Sequence, residues 1–176
     1  MVINRFGDAE KFKVKVNPDT QNYFGVHKDK AIMGDYPTLT DICIAYGENF
    51  SAEWMIPHLI SVSIHTGAKN MTKAQLRDLS KIIASEYRHY KITEILLFFY
   101  RFKAGIYGKF YGTVDPMVIT CALRDFSNER DDMIDHYTML EEEKRKEQER
   151  RDNPPVTMEE WLRMKEKISK TENSGL

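Results

Sequence analysis

Aromatic rings interleaved with cations are the groups in this chain whose types and spacing could do chemistry. The stretch from Thr93 to Pro116, TEILLFFYRFKAGIYGKFYGTVDP, holds the densest cluster of rings and three of the nine glycines. Within it and just before it, Arg88, Lys91, Arg101, Lys103 and Lys109 stand among Tyr107, Phe110 and Tyr111. Flat rings that stack on bases, beside cations that hold phosphates, make the composition of a platform for single-stranded nucleic acid or for a partner's apolar residues. The same rings suit a turn that packs back over the ends of neighbouring helices, since ring clusters beside glycine are common in ordinary cores. No GxxxxGK[ST] or GxGxxG pattern occurs here, so a nucleotide cradle is not supported.

A second candidate lies near the C-terminus. Thr157 and Glu160 have the spacing of a capping box. Behind them Trp161, Met164 and Ile168 stand close to i, i+3, i+7. The polar spacer EEEKRKEQERR precedes this short amphipathic helix, and together they form the layout of a tethered docking helix. The alternative is that Trp161 folds back onto the body of the protein.

Other chemistries find no constellation. The five histidines, His27, His58, His65, His89 and His136, make no HExxH, and neither cysteine stands at metal spacing from the other. His58 and His65, i and i+7 on one helix, are expected to be ordinary helical residues. Asp131, Asp132 and Asp135 could gather a magnesium ion. With Arg124 and Arg130 beside them, a solvated, ion-paired face is the expectation. No GxSxG or Cys–His arrangement stands out. No enzyme, cofactor or metal site is expected.

Composition bounds the partners. The chain has 176 residues, 41% hydrophobic and 30% charged, with a formal net charge of −1. That suffices for one ordinary domain with extensions, and it excludes a generally basic nucleic-acid binder, so any such site must be a local patch. Cys43 and Cys121 sit inside apolar helical patterns and read as buried free thiols in a reducing cytoplasm. No signal core and no run of ~20 apolar residues is present, so neither export nor a membrane partner is expected.

The elements that must position these groups follow in order. Residues 1–35 read as a loosely attached arm. Phe12, Val14 and Val16 alternate with Lys11, Lys13 and Lys15, which predicts a short edge strand. A second extended piece is expected at Tyr23–Val26. Residues 36–140 read as a helical core. Thr38 with Asp41 and Thr72 with Gln75 are capping boxes, and Ser51 reads as a further cap. Pro57 predicts a late start or a kink in the second core helix. Thr93 caps the central helix, which is apolar on nearly all sides and hence buried. Gly105 ends it, and Asp115–Pro116 starts the next. That last helix runs either unbroken or with a break near Ser127–Asn128. Residues 141–176 form the charged spacer, with i,i+4 pairs worth ~0.3 kcal/mol each, and the terminal helix. The fold class is mainly α: a compact bundle of five or six helices with a short N-terminal β arm and a C-terminal helical extension.

The segment "FF.RFK.G.YG.FYG..DP" with an Arg further on resembles a pattern in small proteins carried by bacteriophages and bacterial mobile elements. The matching positions are Phe98, Phe99, Arg101, Phe102, Lys103, Gly105, Tyr107, Gly108, Phe110, Tyr111, Gly112, Asp115, Pro116 and Arg130. The resemblance covers roughly residues 36–135. It carries no established activity and implies a place in the cytoplasm of a bacterial host cell. In layout the chain is also similar to helical accessory proteins of phage replication. The functional expectation is a non-enzymatic adaptor that binds single-stranded nucleic acid or a replication partner through the aromatic–basic loop. The alternative is a structural or protein-interaction module, virion-associated or self-assembling, that contacts its partner through the C-terminal helix.

Overall fold

A computed structural model of the chain describes residues 2–66, 71–108, 115–154 and 157–172, with side chains to Lys165. Among the described residues it is mainly helical, with ten helices and no strand. The first are α1 (Val2–Phe6), α2 (Ala9–Lys15), α3 (Thr20–Val26), α4 (Lys28–Met33) and α5 (Leu39–Tyr46). They are followed by α6 (Phe50–Thr66), α7 (Lys73–Glu86), α8 (Ile92–Lys103), α9 (Pro116–Asp152) and α10 (Met158–Glu172). The chain divides into two compact units, Met1–Asp135 and His136–Leu176.

The β arm expected at the N-terminus is helix instead. Asp8 caps α2 by accepting from the Lys11 N–H, Glu10 lies in the first turn, and Lys13 and Lys15 lie in the last, all favourable to the helix dipole. In a strand Phe12, Val14 and Val16 would share one face. In the helix Phe12 and Val16 share a face and are buried, while Val14 is turned outward, 72% exposed. Phe12 sits among the rings of Phe6, Tyr46, Phe50 and Trp54 at centroid distances of 5.1–6.2 Å. Burial of such a ring stabilises by roughly 1.5–3 kcal/mol, enough to override a short alternating pattern. The extended piece expected at Tyr23–Val26 is the C-terminal half of α3.

The core of the first unit is α8. Every residue from Ile92 to Phe99 is buried, as is Phe102. α3, α4 and α6 pack against it, and Phe126 of α9 meets Phe98 at 5.7 Å. α3 approaches closely because Gly25 has no side chain; a Cβ there would lie 2.2 Å from the Tyr100 ring. α6 packs on α5 and α7 and runs unbroken through Pro57. The chain entering α5 and the chain entering α8 lie side by side: Thr38 and Lys91 form an antiparallel bridge, Leu39 N–H donates to Tyr90 O and Ile92 N–H to Pro37 O, both at 2.9 Å.

The boxes at Thr38/Asp41 and Thr72/Gln75 form as expected, and Met117 N–H donates to the Asp115 carboxylate at 2.8 Å. Gly105 ends α8 with φ of +75°, a conformation L side chains rarely adopt. Two caps fall elsewhere than expected. Ser51 lies inside α6, with Cys43 Sγ 3.0 Å from its hydroxyl. Thr93 lies inside α8, and its buried hydroxyl donates to Ala31 O at 2.8 Å. The start of α8 is held by Glu94, whose carboxylate accepts from the Lys91 N–H at 2.8 Å. Cys121 is exposed rather than buried, because the buried stripe of α9 is Ile119, Ala122, Leu123 and Phe126.

In the second unit, α9 continues without an apolar stripe and carries the ion pairs Glu142–Lys146 and Glu147–Arg151. The Thr157/Glu160 capping box is present and starts α10. Among the described residues no helix is long and apolar enough to cross a membrane.

Candidate functional site

The described residues of the aromatic–basic segment do not assemble into one cationic surface. Each described cation is positioned by a different element. Lys91, half-buried, donates from Nζ to Ile32 O at 2.7 Å and Gly34 O at 3.0 Å, so it closes the C-terminal end of α4. Arg101 turns toward α9. Its side chain is 14% exposed and pairs with Glu129, and its Nε donates to the Tyr107 hydroxyl at 3.1 Å. That hydroxyl in turn donates to the Glu129 carboxylate at 3.2 Å. Burial pushes the Tyr107 phenol up to about 12. The Tyr107 ring lies 5.9 Å from Phe98, so it extends the core rather than offering a free face. Arg88 is exposed at the turn before α8, where its carbonyl accepts from Thr40 N–H at 3.0 Å. Lys109, Phe110 and Tyr111 lie outside the described residues.

A second ionic contact ties α8 to α9. Arg130 Nε donates to Glu94 at 2.9 Å, and its guanidinium lies 4.5 Å from the centroid of the Tyr90 ring. Glu94 is 1% exposed, and among the described residues its charge is compensated by Arg130 and the Lys91 N–H. Asp131 pairs with the same arginine at 3.0 Å, as the ion-paired reading of that face anticipates. Among the described residues no group of three or more His, Cys, Asp or Glu side chains could hold a metal ion.

Lys103, unlike the segment's other described cations, lines a cleft. It stands at the C-terminal end of α8, half-buried, and reaches across to α6, where its Nζ lies 3.3 Å from Ser61 Oγ. Burial pulls its ammonium below the ordinary lysine value. His65, one turn further along α6, donates from Nε2 to Lys103 O at 3.2 Å. These three polar residues line one side of a cleft of about 410 Å³; Pro18, Pro57, Ile60 and Ile64 supply its apolar surface. Sequence reasoning singled out Lys103, set His65 aside as an ordinary helical residue and missed Ser61. The signal available was their spacing: Pro57, Ser61, Ile64 and His65 recur at three to four residues along one face of α6.

His58 lies on the same helix, but it is buried. Gln21 Nε2 donates to His58 Nδ1 at 2.9 Å, which puts the ring proton on Nε2. The Val16 carbonyl faces the ring, and that carbonyl also accepts from Trp54 Nε1 at 2.7 Å. The imidazole stacks at 5.9 Å on Phe99 with 11° between planes. Burial holds its pKa down at about 3.

On α10, Met158, Trp161, Leu162 and Met164 are all exposed, Trp161 to 49%. Lys165 Nζ sits 5.0 Å from the Trp161 ring centroid. The side chain of Ile168, expected on the same face, lies outside the described residues.

Taken together, these features define a mainly α-helical protein with a mixed polar and apolar cleft and a helix that exposes one apolar face. Residues 70–170 match the Family of unknown function (DUF6633), and the chain belongs to that family. No curated protein and no solved structure matches the chain.

Proposed function

We propose that this chain is a non-enzymatic interaction module that self-associates through α10. The observation that carries the reading is the apolar face of that helix: Met158, Trp161 and Leu162 stand at i, i+3, i+4 and all are exposed. A face of this kind on a helix with otherwise charged flanks is the form taken by helices that dock on other helices. The occupant that fits is α10 of a second copy. Its first turn carries Glu159 and Glu160, and Lys165, Lys167 and Lys170 fall in its second half. Glu166 and Glu172 lie in that half as well, so antiparallel pairing sets Glu159 and Glu160 against a stretch of mixed charge in which the three lysines can meet them. Membership of a phage or mobile element belongs to the same proposal and rests on the residue pattern of 98–130.

Static light scattering on the full chain tests it. At micromolar concentration the expected mass is twice 20.7 kDa, falling to the monomer value in the double variant Trp161→Glu, Leu162→Glu. A monomeric wild-type chain, or a dimer indifferent to both substitutions, overturns the reading.

A second reading, an adaptor for single-stranded nucleic acid, is favoured by the exposure of Arg88 and by the composition of the segment Lys109–Tyr111. Fluorescence anisotropy of labelled single-stranded DNA across a salt series addresses it. Binding that weakens steeply with salt supports the adaptor, since released counterions drive such contacts; no binding at low salt removes it.

A further inference from the structure

We propose that the cleft between α6 and the C-terminal end of α8 binds a small organic oxyanion, a carboxylate or phosphate group carried on an apolar body. The recognition element is Lys103. An ammonium has three N–H donors and no acceptor. Here one donor is directed at Ser61 Oγ, at 3.3 Å. Among the described residues no carboxylate lies within 4.0 Å of Nζ, in contrast to the ion-paired Arg101 and Arg130. Asp19 acts on the ammonium only from beyond ion-pair distance, so the half-buried group has lost part of its hydration with partial compensation, and an incoming oxyanion completes it. Burial is what lowers its pKa, and the Asp19 charge only partly offsets it.

The neighbours extend the argument. Ser61 Oγ accepts from Lys103, which leaves its own O–H to donate to the same oxyanion. His65 is anchored through Nε2 on the Lys103 carbonyl, which fixes the lip of the cleft and holds the end of α8 against α6. The remaining surface is Pro18, Pro57, Ile60 and Ile64, and Ile60 and Ile64 are exposed among the described residues. An open cleft of about 410 Å³ falls in the size range that takes small ligands, and its mixed lining pairs an apolar surface with a few converging polar groups, as such sites do. Pro18 comes from the turn between α2 and α3, so three separate segments of the first unit build the site. The inference is independent of self-association through α10.

The probes are phenyl phosphate, benzoate, inorganic phosphate and neutral benzyl alcohol, each titrated into the ¹⁵N-labelled full chain. The expected result is saturable shifts of the Ser61, Ile64, His65 and Lys103 amides with phenyl phosphate or benzoate. Inorganic phosphate should bind at least tenfold more weakly, and benzyl alcohol should not saturate. Of the two aromatic anions, the tighter identifies the head group. Lys103→Met keeps the apolar stem and should weaken binding at least tenfold; Ser61→Ala should weaken it about threefold, the ratio expected for loss of one hydrogen bond of ~0.7 kcal/mol. Ser61→Ala also serves as the test if Lys103→Met does not fold. Equal responses to benzyl alcohol and benzoate, shifts spread over the surface, or an unchanged affinity in both variants overturns the proposal.

Discussion

His58 ties the stability of this protein to pH through one buried ring. Its pKa is about 3 in the folded chain, held there by burial, against about 6.5 in an unfolded chain. Between those values the unfolded state binds one more proton than the folded state. Stability therefore falls as pH drops through this window and is unaffected by His58 above about 7. At pH 5 the unfolded ring is almost fully protonated while the folded ring is neutral. The resulting loss relative to neutral pH is about 2 kcal/mol, from 1.36 kcal/mol per unit over roughly 1.5 units. That is a large share of the stability of an ordinary domain. The assay is urea unfolding followed by far-ultraviolet circular dichroism at several pH values between 7.5 and 5, on wild type and on His58→Gln. The glutamine keeps a polar group opposite Gln21 but takes up no proton. The variant is expected to be less stable at pH 7.5 and to lose about 2 kcal/mol less than wild type on acidification. Parallel stability–pH curves would refute the reasoning. So would a wild-type His58 ring resonance that titrates near pH 6, a measurement that does not require the variant to fold.

Two further outcomes follow from close packing and from buried charge. Gly25→Ala places a Cβ 2.2 Å from the Tyr100 ring and should cost about 1–3 kcal/mol in urea unfolding; Tyr100→Ala in the same chain should recover part of that loss, and additive effects would count against the contact. Glu94→Gln removes the buried charge that faces Arg130 and weakens the acceptor for the Lys91 N–H; a loss of roughly 3 kcal/mol is expected, and a change under about 0.5 kcal/mol, the level of ordinary surface substitutions, would show the pair to be dispensable.

What the sequence by itself determined is the set of features whose partners lie within four residues. The boxes at Thr38/Asp41, Thr72/Gln75 and Thr157/Glu160 form because a side chain three positions along reaches the exposed N–H groups of its own first turn. Asp115–Pro116 starts α9 and Gly105 ends α8 for equally local reasons. The burial of α8 was legible too, because a helix apolar on nearly all sides must be surrounded. The spacing of α10 predicts an amphipathic stripe but not its exposure, since Trp161 folded back onto the body would satisfy the same spacing; its exposure is read from the structure.

Only the tertiary structure decided the rest. Residues 11–16 satisfy both a strand and a helical period over too few residues to choose; the pocket of rings around Phe12 chose the helix and sent Val14 outward. Thr93 had the chemistry of a cap, but a carbonyl 62 positions away took its hydroxyl. The cations read alike in sequence and differ in space. Lys91 went to carbonyls of the α4 end, Arg101 to Glu129, and Lys103 to a cleft with Ser61 and His65. A charge has no periodicity and reaches whatever the fold brings within about 4 Å, so its partner is written in the packing of the helices rather than in its neighbours along the chain.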